Sequence, residues 1–235
     1  SDVCSSDLEI TSGKILSDIS SLNGTMNNPP VINAAGGVSG LVAGVIGSFV
    51  AEKITSSYKN PPKELIEAMR AYGIINPLEK AHFLAQTNHE SGNYVYREEI
   101  ASGAAYEGRS DLGNTQPGDG RRFKGRGYIQ VTGRANYTKY NQYLKSRGIQ
   151  DDVVKNPSLV ATKYAADISV WYWSVLGPKF KKNFPKKSKE GDYLTIINKI
   201  GAWINGKNPP NGAQDRIKKF NYYWEILKNN PNAFS

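Results

Sequence analysis

A mainly α-helical fold with a small β element is the expectation for this 235-residue chain, and three observations predict it. Apolar residues recur at three- and four-residue spacing through most of residues 61–228. Helix stops and starts punctuate that pattern, Gly73, the Asn76–Pro77 pair and Gly92 foremost. Only the start of YIQVTGRANY, residues 128–137, reads as a short strand, and it runs into a helix. The length suits one domain, residues 61–235, preceded by a segment of different character.

Taken in order, the first eight residues, SDVCSSDL, back-translate in frame to the end of a widely used sequencing adapter and are read as an assembly scar. Residues 9–30 are polar and end in NGTMNNPP, a linker-like composition. Residues 31–50 carry no charge and place Gly36, Gly40 and Gly44 four apart. That length and spacing allow membrane contact or insertion, while five glycines favour an apolar linker that packs on itself. Pro61 and Pro62 are suited to opening the first helix, KELIEAMRAYGI, which puts Leu65, Ile66, Met69 and Tyr72 on one face. NPLEKAHFLAQTNHES follows, with Asn76 as N-cap, Pro77 in the first turn, and Leu78, Ala81, Ala85 and His89 facing inward. Gly92 ends it. Residues 101–127 are too rich in glycine and polar residues for regular structure, and loops of that length in compact domains are usually functional. Helices are expected over 137–147, 157–175, 192–204 and 212–228. No internal repeat is visible.

Charge and cysteine content narrow the function classes. The chain has 30 Lys and Arg against 21 Asp and Glu, net +9. Residues 1–60 hold five acids (Asp2, Asp7, Glu9, Asp18, Glu52) and three bases (Lys14, Lys53, Lys59), net −2, so residues 61–235 carry +11. The basic character, densest in KFKKNFPKKSK over 179–189, therefore belongs to the main domain and favours polyanionic partners such as an anionic cell-wall surface. A nucleic-acid partner is not expected, because no reading motif accompanies the charge. The single cysteine, Cys4, excludes an internal disulfide framework and a cysteine-based zinc site.

Several chemistries can be set aside by motif. The two histidines, His82 and His89, do not complete HExxH, since position 93 is asparagine. His82 is read as a partly buried helix residue. There is no GxSxG elbow, phosphate-binding loop or dinucleotide fingerprint. Asp111, Asn114 and Asp119 offer oxygen atoms for calcium but lack EF-hand spacing. No metal or cofactor is expected.

Carboxylates remain. Inverting glycoside hydrolysis needs a protonated acid at the leaving oxygen and an ionised base that activates water, about 6.5–9.5 Å apart. Glu90 lies at a predicted helix C-terminus, where the negative helix end and partial burial disfavour ionisation, as a general acid requires. One continuous helix from 90 to 99 would separate two glutamates by about 13.5 Å, too far. Gly92 breaks the helix, so the chain can turn back and carry Glu99 across a cleft. Spacing alone does not decide this.

Three ordered blocks do carry a resemblance. FLAQTNHESGNYVYREE, FKGRGYIQVTGRANY (123–137) and INGKNPPNGAQDRIKKF (204–220) resemble the signature blocks of family 19 glycoside hydrolases, the chitinases and related phage and bacterial endolysins. The likeness covers about residues 61–228, and AAYEGRSDLGNTQPGDG is closer to the endolysin branch. It implies a lysozyme-like α+β fold, two helical lobes around a substrate cleft, and an inverting mechanism. By position it implies Glu90 as general acid and Glu99 as general base. Thr132 would help hold the attacking water, Gln130, Asn136 and Asn205 would contact sugar, and Arg216 would pair with the acid, with His89 beside it. Plant-type members carry an acid after ING that pairs with that arginine. Here the sequence is KNPPNG, so Arg216 needs another partner.

The base has a second candidate, Glu107 of YEGR, whose plainer reading is an ion pair with Arg109, Arg121 or Arg126 that holds the long loop. Glu98 and Glu99 are neighbours in an extended segment and face opposite ways. Tyr94, Tyr96, Tyr106, Tyr128 and Tyr137 cluster near the expected cleft and could stack on sugars, Tyr137 being the one carried as a substrate contact. The aromatics of VWYWSVL (170–176) are more simply core. The expected function is a glycosidase cutting β-1,4 bonds of peptidoglycan in the cell wall, periplasmic or extracellular. Chitin is the alternative polysaccharide. A non-catalytic glycan-binding or tail module, and an antibacterial effector using residues 31–50 on a membrane, are rival classes.

Overall fold

The computed structural model describes residues 58–175, 200–202, 204 and 210–235. The first eight residues, read above as a scar, the apolar run 31–50, the basic run 179–189, most of the helix expected over 192–204, and Asn205 lie outside those residues. From residue 58 onward the described residues belong to one compact unit. Their helices are α1 (Lys63–Ala71), α2 (Pro77–Glu90), α3 (Asp119–Arg122), α4 (Arg134–Ser146), α5 (Leu159–Thr162), α6 (Ala165–Val175) and α7 (Ala213–Asn229), with 3-10 turns at Ala104–Tyr106 and Ser110–Leu112. The mainly helical expectation is met. No described helix is long and apolar enough to cross a membrane.

Helix α2 is the axis of the domain. Asn76 caps it as its sequence implies, its side-chain oxygen accepting from the backbone N–H of Leu78 and Glu79 at 3.0 and 3.1 Å. Every residue from Leu78 to Asn88 is buried, including Glu79, Lys80 and Gln86. The one-sided burial expected of Leu78, Ala81 and Ala85 is thus too narrow, because α2 is covered by several elements at once. Against α7, its most extensive helix contact, His82 stacks on Phe220 with centroids 4.3 Å apart. Against α6, Phe83 meets Trp173 edge-on and the Trp173 indole N–H donates to Glu79 at 3.1 Å.

Around that axis runs one continuous apolar core, from Leu65 and Met69 of α1 through Tyr128, Tyr137, Tyr140 and Trp171 to Tyr223 and Leu227 of α7. The two expected lobes share this core. Trp171 and Trp173 are almost fully buried, as the core reading of VWYWSVL requires. The helix expected over 157–175 is broken in two. Its pieces meet at Lys163 and Tyr164, where the Tyr164 hydroxyl donates to Asp151 at 2.6 Å and its backbone N–H reaches back to Leu159.

The β element is smaller than expected. Among the described residues it consists of isolated bridges, Glu98 with Arg126 and Arg126 with Val131. Gly127 and Gln130 have φ of 78° and 55°, so the chain folds sharply between the bridged residues and cannot extend as a strand at 128. The bridges nonetheless fix three segments side by side: Glu99 N–H donates to the Gly125 carbonyl at 2.9 Å, and Gly127 N–H to that of Arg97 at 2.9 Å. The long segment 101–127 is tied down throughout. Asp119 pairs with Arg134 of α4, and Asn114 donates to the Tyr106 carbonyl while accepting from the Arg134 N–H.

His82 gives the fold a pH dependence. Burial lowers its pKa from 6.5 to about 3. Between those values the unfolded chain binds a proton that the folded one refuses, so stability is full above 6.5 and falls as pH drops through that window. The slope approaches ~1.4 kcal/mol per pH unit. Urea unfolding at pH 7 and pH 4.5 should show this loss, and an H82Q variant should flatten it. Parallel curves for the two proteins would refute the assignment.

Candidate active site

The site starts where α2 ends. Ser91 caps the helix, its hydroxyl donating to the Thr87 carbonyl at 2.6 Å. Gly92, Asn93 and Tyr94 then all adopt left-handed backbone, φ 56°, 62° and 62°. Glycine tolerates this, whereas the two larger residues are strained by it. Side chains hold them there. Asn93 accepts from the Asn88 amide at 3.0 Å and the Lys59 N–H at 3.0 Å. Tyr94 is buried, with its hydroxyl donating to the Leu84 carbonyl at 3.2 Å and lying 2.9 Å from that of Tyr223. This turn reverses the chain and lays residues 97–99 against 125–127.

Glu90 and Arg216 are brought together. The guanidinium of Arg216, fully buried at the first turn of α7, donates Nη2 to Glu90 Oε1 at 2.5 Å. Its Nη1 donates to the Gln86 side-chain oxygen and its Nε to the Asn211 carbonyl at 3.0 Å. Gln86, one turn before Glu90 and fully buried, is therefore a partner for an arginine that the sequence left without an obvious one. A second cross-link runs parallel, one residue back on each helix. His89 Nδ1 lies 2.6 Å from Asp215 Oδ2, which also accepts from Lys219 at 2.5 Å. Burial opposes ionisation of Asp215, yet the His89 and Lys219 contacts hold it down at about 2. The His89 ring fills the notch left by Gly212, the αL residue before α7, where an added Cβ would collide with it.

Glu99 is held quite differently. Its Oε1 accepts from the Tyr106 hydroxyl at 3.0 Å and its Oε2 from the Gly125 N–H at 3.1 Å. Burial, then the charge and hydrogen bond of Glu99, push Tyr106 up to about 12, and the charge of Glu90 adds to the rise. Both carboxylates thus lie within electrostatic reach of one phenol. Glu98 faces the other way, paired with Lys124 at 3.0 Å and Arg126 at 3.2 Å, which together overcome burial and lower its pKa.

The remaining expected residues fall into distinct groups. Gln130, at positive φ, donates to the Gly127 carbonyl at 3.1 Å, and its side-chain oxygen crowds Gly125 opposite Glu99. Thr132 donates to the Gln130 carbonyl at 2.9 Å, and Asn136 donates to that of Thr132 at 2.8 Å, so the three form a hydrogen-bonded chain. Tyr137 does not fit a sugar contact. It is fully buried, donates to the Lys124 carbonyl at 2.9 Å, accepts from Arg126 at 3.1 Å, and belongs to the core behind the site. Tyr128 is likewise buried, its hydroxyl bound to Glu64 at 2.6 Å. Glu107 forms none of the ion pairs expected of it. Its two oxygens accept from the backbone N–H of Gly118 and Gly120 at 2.6 and 2.8 Å, which pins the long loop. Arg109 instead pairs with Asp111. With Asp119 on Arg134 and Asn114 on backbone, the oxygens considered for calcium are engaged. Tyr96 is half exposed, its ring packed over Gly92, and Val95 and Ile100 are exposed nearby in sequence.

Over most of this domain the chain is similar to known proteins. A glycoside hydrolase family 19 model, described as Chitinase class I, matches residues 75–233. A glycosyl hydrolase family 19 domain-containing protein of Haemophilus influenzae is 27% identical over 63% of this chain and 80% of its own. An endochitinase of Arabidopsis thaliana is 33% identical over 69% of this chain. The chain spans about half the length of that enzyme, 52%. Among solved structures, chitinase C from Streptomyces griseus is 25% identical, with a TM-score of 0.49 over 76% of this chain and 90% of its own.

Arg216 should matter for folding as well as for chemistry. Replacing it by Met strands a carboxylate that is only 14% exposed and should cost roughly 3–5 kcal/mol in urea unfolding. Adding Glu90→Gln should recover part of that loss, because no buried charge is then left over. Equal midpoints for parent, single and double variants would count against the cross-link.

Proposed function

From a chain that belongs to glycoside hydrolase family 19, we propose a cell-wall glycosidase that hydrolyses the β-1,4 bonds of peptidoglycan with inversion. The observation that carries it is the unlike treatment of two glutamates within reach of one phenol: Glu90 on a buried guanidinium, Glu99 clamped by two neutral donors. Glu90 is the acid and Glu99 the base. Residues 61–235 are the catalytic domain and residues 9–60 a linker-like segment before it.

In the reaction, the Glu90 carboxyl gives its proton to the glycosidic oxygen as the bond from that oxygen to the anomeric carbon breaks. A water on the opposite ring face forms the new bond to that carbon and loses its proton to Glu99. Solvent then returns each carboxyl to its starting state. Arg216 gains by being paired with an anion, so it favours the Glu90 carboxylate that proton donation leaves behind. Thr132, linked by its hydroxyl to the Gln130 carbonyl, is assigned the steadying of the water, and Asn136 supports Thr132. Asn205 completes the sugar-binding set. Tyr96, half exposed over Gly92, offers an apolar face to a sugar ring.

Peptidoglycan is favoured because the domain carries +11 and would be drawn to anionic walls, periplasmic or extracellular. Chitin is the second reading, favoured by the endochitinases among the relatives. Incubation with purified peptidoglycan and with colloidal chitin, followed by a count of new reducing ends, separates them. Release from peptidoglycan is expected, with the reducing-end sugar identifying the bond cut; release from chitin alone refutes the choice. Glu90→Gln should lower turnover by at least about a hundredfold while retaining glycan binding, with a lower melting temperature because the buried Arg216 loses its anion. Full activity in that variant would defeat the two-glutamate mechanism, and glycan binding without turnover in the parent would favour a non-catalytic module.

A further inference from the structure

Residues 101–127 build a rigid support whose purpose the two-glutamate scheme does not explain. Glu107 bonds the N–H groups of Gly118 and Gly120, and Asn114 fixes the Tyr106 carbonyl at 2.9 Å. Gly103 and Gly120 pack so closely that a Cβ on either would meet the backbone of the other, at 2.5 and 2.7 Å. The side chain this support delivers to Glu99 is the phenol of Tyr106.

The geometry points to Tyr106 as a positioning residue for the base, its hydroxyl fixing the plane of the Glu99 carboxylate together with the Gly125 N–H. This rests on Glu99 being the base. Each carboxylate oxygen accepts one hydrogen bond from this pair of donors, and each keeps a second lone pair for the attacking water. A carboxylate held by one donor alone can swing about its last torsion, and a base that swings spends less time aligned with its water. Tyr106 is pushed up to about 12, first by burial and then by Glu99, so its hydroxyl stays protonated and remains a donor over the working pH range. A neutral donor also has an advantage over a cation here. It orients the carboxylate without the full opposing charge that would weaken it as a base, and of the cations nearby, Arg126 pairs with Glu98 while Lys124 pairs with Glu98 and donates to the Glu99 backbone carbonyl at 2.8 Å, so neither bonds the Glu99 carboxylate.

The test is the pH–rate profile of Tyr106→Phe. Loss of a hydrogen bond to a charged group should lower kcat by about ten- to hundredfold with little change in KM. Because the lost bond favoured the ionised carboxylate, the acidic limb of the profile should move to higher pH. A fluorinated tyrosine placed at 106, a stronger donor, should move the same limb to lower pH, and it serves alone if the Phe variant fails to fold. A fall in kcat with the limb unmoved in both proteins means a purely structural role and overturns the inference, leaving Glu99 as base. Retained turnover in Glu99→Gln removes the base assignment itself, and the inference with it.

Discussion

The buried guanidinium of Arg216 is the constraint around which the domain is arranged. A cation with no exposure survives only where its donors are satisfied, and here they are met by Glu90, Gln86 and the Asn211 carbonyl. Arg216 belongs to α7 and two of those partners to α2, the most extensive helix pair among the described residues, so satisfying the charge fixes how the helices cross. His89 and Asp215 repeat the link one residue back, with the ring seated in the notch at Gly212. The candidate site and the fold therefore share a residue: the group that pairs with Glu90 also sets the position of the helix that carries it.

A second constraint follows from the first. With Glu90 fixed at the end of α2, the chain lies against residues 125–127 by residue 97 only if it reverses within a few residues. Three consecutive left-handed residues achieve this. Left-handed backbone at Asn93 and Tyr94 is unfavourable by about 1–2 kcal/mol per residue. Burial of the Tyr94 ring and its bonds to Leu84 and Tyr223, with the bonds of Asn93 to Asn88 and Lys59, offset it. Strain at this point is local, and the core beneath it holds it in place.

Features decided within a few residues were legible in the sequence. Asn76 and Pro77 start α2 because capping needs only the next turn, and Gly92 ends it because the backbone there must turn left-handed. The opposite facing of Glu98 and Glu99 follows from strand periodicity and is seen in their separate partners. What was misread depends on contacts distant in sequence. Tyr137 looked like a cleft residue because its neighbours are, yet Lys124 and Arg126 draw its hydroxyl into the core. Glu107 was expected to seek an arginine and instead satisfies two amides that only a folded loop presents. The β element shrank to single bridges because Gln130 turns left-handed, a choice that no propensity of glutamine announces. Gln86 as a partner of Arg216 was invisible because the two are 130 residues apart.

On the proposed reading of Glu90 as acid and Glu99 as base, the contrast between them explains why both kinds of surroundings are needed. An acid that must give up its proton benefits from a nearby cation, because the charge it acquires is stabilised as it forms. A base that must take a proton is weakened by the same neighbour. The chain solves this by sorting its cations. Arg216 is committed to Glu90, Lys124 and Arg126 pair with Glu98, and the Glu99 carboxylate is left with donors that carry no net charge, while Lys124 also bonds the Glu99 backbone carbonyl at 2.8 Å. Glu98, at first sight a redundant glutamate, then has a definite electrostatic effect: by pairing Lys124 and Arg126, it offsets their charge near the Glu99 carboxylate.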